Sequence, residues 1–123
     1  LVYSPPLPLA IAGKKIREKY GAKFILNIQD IFPQNAIDLG VLKSTALIGF
    51  FEWIEKAVYK SADVITAHSE GNHNFLLRTK RVPSTKIVTL HNWIDISLFL
   101  NLNRTGKFRK DFGLENKFVF LFA

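Results

Sequence analysis

The sequence predicts an α/β protein on a mostly parallel sheet, and two observations carry that prediction. First, short and nearly continuous apolar runs at residues 24–28, 63–67 and 86–90 alternate with longer amphipathic segments at 8–20, 43–60 and 70–79. Runs without a polar face suit strands covered on both sides, the usual state of parallel strands. Second, strand, helix and strand follow one another within about 25 residues near the start, and such a crossover joins parallel neighbours. The composition agrees. Of 123 residues, 48% are apolar and 22% charged, ordinary for a folded chain with one core.

Leu1–Ser4 reads as the end of a strand, broken by Pro5, Pro6 and Pro8. Residues 8–20 carry helical spacing, with Leu9, Ile11, Ala12, Ile16 and Tyr20 on one side and basic residues on the other; Gly21 is placed to stop the helix. Phe24–Ile28 is the next strand. The clearest helix is 43–60, where Leu47, Phe50, Phe51, Ile54, Ala57 and Val58 recur at steps of three and four behind Ser44 as N-cap. That stripe reads as core. An interfacial membrane helix is the other reading, kept open by Ile48 and Trp53 near the stripe's margins.

Asp63–Ala67 is a further strand. Ser69 then stands where an N-cap belongs, and Glu70 falls in the first turn, where a negative charge suits the helix dipole. The helix continues over 70–79 until Val82-Pro83-Ser84, and Lys86–Leu90 is the next strand. Residues 92–103 lose periodicity and read as a linker. One or two helical turns at 108–112 stop at Gly113, and a terminal strand begins near Lys117. No internal repeat and no low-complexity tract is present. With no methionine and an apolar, aromatic-rich close at Phe118–Ala123, the chain reads as a segment of a longer protein.

The net charge is +7, from 17 Lys and Arg against 10 Asp and Glu. Lys14, Lys15, Arg17, Lys19 and Lys23 form one cluster, and Arg104, Lys107, Arg109 and Lys110 another. Such a balance favours an anionic partner (a nucleic acid, a lipid surface or a sugar-nucleotide phosphate), with a solvated helix face as the plainer alternative. The phenylalanines sit in apolar runs and not as stacking platforms, so nucleic acid is not expected. The absence of cysteine excludes disulfides and thiolate metal sites. The longest apolar runs, such as 46–51, fall short of the roughly 20 residues that cross a bilayer.

Ligands of open parallel sheets bind beyond the carboxyl ends of the strands. That rule selects Gln29-Asp30, His68-Ser69-Glu70 and His91-Asn92-Trp93, all on one sheet edge. Asp30 can equally start a turn by bonding its own downstream backbone, and Ser69 reads as a cap, since no nucleophile elbow surrounds it. His68 and His73 lack the i, i+4 spacing of a helical zinc pair, and no metal is expected. Neither a glycine-rich phosphate loop nor a Walker pattern occurs.

The order of several segments adds to this. Ser4-Pro5-Pro6-Leu7-Pro8, Gln29-Asp30-Ile31-Phe32-Pro33, Ala62-Asp63-Val64-Ile65-Thr66 with Ser69-Glu70-Gly71, Lys86-Ile87, and Asn92-Trp93-Ile94-Asp95 with Phe99 together resemble the glycosyltransferase family 4 enzymes. The likeness covers nearly the whole chain and looks closest to the bacterial branch that builds capsule, colanic acid and O-antigen.

The resemblance implies a GT-B architecture, two Rossmann-like lobes facing across a cleft. Residues 1–100 would be the later part of the acceptor-side lobe, and 101–123 a linker with the first strand of the donor-binding lobe. It implies a retaining transferase of the hexosyltransferase type, which moves a sugar from a nucleotide-diphosphate donor to a glycan or polyprenyl-linked acceptor, without a metal or other cofactor. Gln29, Asp30, Ser69 and Glu70 would contact the acceptor or edge the cleft. Asn92, Trp93, Asp95 and Phe99 would shape the lobe junction. The expected place is the cytoplasm, at the inner face of the plasma membrane, with the basic segment at 14–23 resting on anionic lipid. Two departures stand out. Gln29 replaces a histidine common in the family and cannot carry a proton, though it can bond a sugar hydroxyl. His68 stands where a small or apolar residue is usual. A non-catalytic nucleotide- or polyanion-binding module, or an inactive truncated fragment, is the alternative.

Overall fold

The computed structural model describes residues 1–97, 100 and 106–120, in two compact units, Leu1–Asn92 and Trp93–Ala123. The first unit holds β1 (Val2–Ser4), α1 (Leu7–Tyr20), β2 (Ile25–Ile28), α2 (Gln34–Asp38), α3 (Thr45–Ser61), β3 (Val64–Ala67), α4 (Glu70–Arg78) and β4 (Ile87–Thr89). Its four strands form one all-parallel sheet in the order β1-β2-β3-β4, the α/β, Rossmann-like arrangement that the alternating pattern predicts.

Each crossover steps one strand in the same direction, and right-handed crossovers then put α1, α3 and α4 on one face. The core follows that layout. Leu26, Ile28, Ile65, Ala67 and Ile87 from the sheet pack with Ala10, Val58, Tyr59, Ala62 and Leu76 from the helices. Register aligns Tyr3, Asn27, Thr66 and Val88 in a row on the opposite face. There Tyr3 and Val88 are half exposed, while Asn27 and Thr66 are each 8% exposed. The expectation of cover on both faces is thus met at the two central strands, while the opposite face stays open at the rims. Thr66 Oγ1 is the buried side-chain polar atom left without a partner among them.

Two helices present faces other than those expected. In α1 the buried side is Leu7, Ala10 and Gly13, while Leu9, Ile16 and Tyr20 face solvent. Close approach decides this: a Cβ on Gly13 would stand 2.8 Å from both Phe24 Cε2 and Val2 Cγ2. The helix therefore lies against β1 and β2 on its small residues. In α3 the buried residues are Glu55, Val58 and Tyr59, and Leu47, Phe50, Trp53 and Ala57 are exposed. Length explains the difference. Seventeen helical residues span about 25 Å and four strand residues about 13 Å, so the first half of α3 overhangs the sheet. Phe51 still finds an edge-on partner in Phe32, with ring centroids 5.0 Å apart.

Ends and ties follow local chemistry. Gly21 takes the left-handed conformation (φ 64°) that closes α1. Ser69 caps α4 through Oγ, which accepts from the Asn72 N–H at 3.1 Å. Ser44 occupies the N-cap position of α3, but its side chain makes no capping bond. At the amino edge of the sheet, Arg17 grips Asp63 through Nε and Nη2 at 3.0 and 2.9 Å, and the Phe24 N–H donates to the same carboxylate at 2.8 Å. The Arg17 hydrogen bond, helped by the Phe24 amide, holds the Asp63 carboxyl well below its usual range.

In the second unit, α5 (Lys107–Asp111) ends near Gly113 at φ 61°. Arg109 Nη1 donates to the Leu114 and Lys117 carbonyls, each at 2.9 Å. The strand expected from Lys117 is absent over Phe118–Phe120: these residues are exposed, pair with no other strand, and hold the two phenyl rings 5.0 Å apart. An apolar run makes a strand only where a partner takes its backbone groups. Residues 121–123 lie outside the described residues.

Candidate functional site

The carboxyl ends of β2 and β3 open onto a cleft of about 410 Å³. Gln29 and Asp30 line it from the end of β2, His68 from the end of β3, Gln34, Asn35 and Asp38 from α2, and Gly71, Asn72 and Phe75 from α4. The edge that strand order selects is therefore where the polar concavity lies.

The expected residues part company within it. Gln29 and Asp30 are in the cleft. Ser69 and Glu70 are not among its lining: Ser69 spends its oxygen on the cap, and Glu70 points outward from the first turn. They act one step back, by setting the turn that presents Gly71 and Asn72. Asp30 is exposed, and its carboxylate accepts no hydrogen bond among the described residues; the turn bond runs instead from the Phe32 N–H to the Asp30 carbonyl at 3.1 Å. Its side chain is thus not used as a local turn-former.

Gln29 is held at both ends of its amide. Nε2 donates to Asn27 Oδ1 at 2.8 Å, and Oε1 accepts from Asn92 Nδ2 at 3.0 Å. One N–H and one lone pair remain, with their directions fixed by the chain. Asn92, expected at a lobe junction, is the last residue of the first unit and belongs to this chain. Trp93 and Asp95 fall in the second unit; Trp93 is exposed, and Asp95 Oδ1 accepts from the Ser97 N–H at 2.9 Å. Phe99 lies outside the described residues.

The histidines form a second chain. His91 Nδ1 donates to the His68 carbonyl at 3.0 Å, and His68 Nδ1 faces the Ile28 carbonyl at 3.4 Å. A carbonyl accepts only, so in each contact Nδ1 is the donating nitrogen. His73 Nδ1 lies 3.0 Å from Thr89 Oγ1. Among the described residues no three acidic or histidine side chains converge on a metal position.

The sequence reading missed Asn27 and α2. Asn27 is a polar residue amid an apolar strand, a signal open to inspection. Pro33 ahead of Gln34-Asn35-Ala36 is a helix-start signal that the turn reading of Asp30–Pro33 overrode. Together these groups offer a carboxylate, oriented carboxamides, an imidazole and the ring of Phe75. Such a set can hydrogen-bond vicinal hydroxyls as donor and acceptor. No protein-family model and no curated protein matches the chain.

Proposed function

We propose that the chain forms the acceptor-side part of a two-lobed glycosyltransferase, and that the cleft beyond β2 and β3 receives a sugar hydroxyl of a glycan or lipid-linked acceptor. The observation that carries this reading is the exposed Asp30 carboxylate, without a partner among the described residues, beside the immobilised Gln29 amide, at the sheet edge where parallel α/β proteins bind ligands. The ordered segments that resemble family 4 enzymes supply the reaction class: retaining transfer from a nucleotide-diphosphate sugar. Asp30 accepts the acceptor's hydroxyl hydrogen bond, Gln29 fixes the ring's orientation, and Asn72 and Gln34 bind neighbouring hydroxyls.

A place at the cytoplasmic face of a membrane fits the same reading. Among the described residues no helix is long and apolar enough to cross a bilayer. Yet neighbouring α1 and α3 expose Leu9, Ile16, Tyr20, Leu47, Phe50 and Trp53, and Lys15 and Lys19 are exposed on α1 as well. Apolar groups flanked by lysines suit an anionic lipid surface carrying a polyprenyl-linked acceptor.

In the enzyme from the complete reading frame, Asp30→Ala should raise acceptor KM and lower turnover, by about tenfold or more together, for one lost charged hydrogen bond. Unchanged turnover and KM would refute the assignment. Vesicles of anionic lipid should shift Trp53 fluorescence less as salt rises; salt-independent partitioning would rule out the electrostatic part.

A further inference from the structure

Between α3 and the segment that follows α4 runs a second concavity of about 540 Å³, which adjoins the cleft at Gln34 and extends to Lys86. Its floor is a buried polar network. Glu55 is 2% exposed; its Oε2 accepts from Lys80 Nζ at 2.8 Å and its Oε1 from the Tyr59 hydroxyl at 2.9 Å. Burial outweighs the Lys80 hydrogen bond and raises the Glu55 carboxyl, and burial also raises Tyr59 far above its ordinary value. This network is satisfied within itself and tethers the segment after α4 to α3, so it fixes the groove's shape without calling for a ligand.

The walls do call for one. With Lys80 paired to Glu55, the lining keeps Lys56, Lys60, Arg81 and Lys86 against Glu52. Lys86 is partly committed, since Nζ donates to the Lys60 and Ala62 carbonyls at 3.0 and 2.7 Å and so closes the end of α3. Lys56, Lys60 and Arg81 form no ion pair among the described residues. Lys56 and Lys60 share one side of α3 at i, i+4, where like charges repel. Arg81 sits in the left-handed backbone region at φ 56°, costly for a residue with a Cβ unless its surroundings impose it. The Val82 N–H donating to the Leu76 carbonyl at 3.0 Å, with Val82 buried, holds the chain there. Unpaired cations thus gather around a rigid concavity with Tyr59, Val82 and Pro83 as an apolar side. Its volume lies in the range of small-molecule sites, about 300–1,000 Å³.

We propose that this groove binds a small phosphorylated solute, its phosphates held by Lys56, Lys60 and Arg81 and its organic part set against Tyr59 and Val82. The proposal does not depend on the acceptor cleft, and either can fail alone.

Inorganic diphosphate titrated into the chain by calorimetry is the test. Saturable binding is expected. Lys60→Ala with Arg81→Gly should weaken it at least about tenfold, as expected for lost charge-assisted contacts. Both residues are exposed, and glycine accepts the Arg81 backbone, so the variant should melt no lower than the parent. Lys15→Ala with Lys19→Ala, the same loss of charge on α1, should leave the affinity within about twofold, because those cations lie outside the groove. No saturation at millimolar diphosphate, or equal weakening by both pairs, would overturn the proposal. So would a response to anionic phosphatidylglycerol vesicles that the groove pair abolishes while diphosphate gives none.

Discussion

Gly13 and Gly49 occupy the interiors of α1 and α3, and Gly→Ala should have opposite signs at the two. At Gly13 the added methyl would meet Phe24 Cε2 and Val2 Cγ2 at 2.8 Å each. Favourable carbon contacts lie at roughly 3.5–4.0 Å, so each overlap is about 0.7 Å or more. Phe24 is buried in a close-packed core, where moving the ring displaces its neighbours. Overpacking of this kind costs about 1–3 kcal/mol, and two contacts against a buried ring argue for the upper half of that range. Helix propensity returns about 0.8–1.0 kcal/mol, which leaves a net loss of roughly 1–2 kcal/mol. At Gly49 nothing lies within 4 Å of the new methyl, so the propensity gain of up to about 1 kcal/mol stands alone. Urea unfolding followed by helical circular dichroism measures both. If Gly13→Ala raises the midpoint as Gly49→Ala does, α1 does not approach the sheet as described. Val2→Ala should recover part of the Gly13→Ala loss by removing one of the two overlaps.

Lys80→Met should strand the Glu55 carboxylate and cost about 3–5 kcal/mol near neutral pH. Glu55 is raised from 4.5, so its contribution is full below that value and fades as pH rises through the folded pKa; the variant's deficit should therefore shrink on acidification. Asp63 has the opposite sign: lowered from 3.8, it stabilises above that value and loses its effect as pH falls toward the folded pKa, so Asp63→Asn should flatten the acid limb of a stability-against-pH curve. Ser69→Ala should cost about 1 kcal/mol through loss of the α4 cap, whereas Ser44→Ala should stay within about 0.5 kcal/mol; equal losses would contradict the difference in capping.

Much of the layout was legible because it rests on local chemistry. The steps of three and four along α3, the cap at Ser69 and the stop at Gly21 are written in a few neighbouring residues. Parallel pairing and the edge that carries the cleft followed from short crossovers and the strand ends. What was not legible depends on distant partners. Which side of α1 is buried turns on Phe24 and Val2 meeting Gly13, and no periodicity within 8–20 contains that contact. The exposed half of α3 reflects strand length, a property of other segments. Phe118–Phe120 has strand composition but no strand pairing, because composition does not supply a neighbour. At the site, Gln29 and Asp30 were found by position alone. The amide chain from Asn27 to Asn92 joins residues far apart in sequence, which no local pattern brings together.

The two outermost strands of the sheet, Val2–Ser4 and Ile87–Thr89, are three residues each, and Pro5 follows the first directly. Rims so brief offer few open backbone groups, and a proline has no amide hydrogen to lend. Concentrated solutions of this 123-residue chain should accordingly resist edge-to-edge stacking of copies into fibres, despite the apolar content of the strands between.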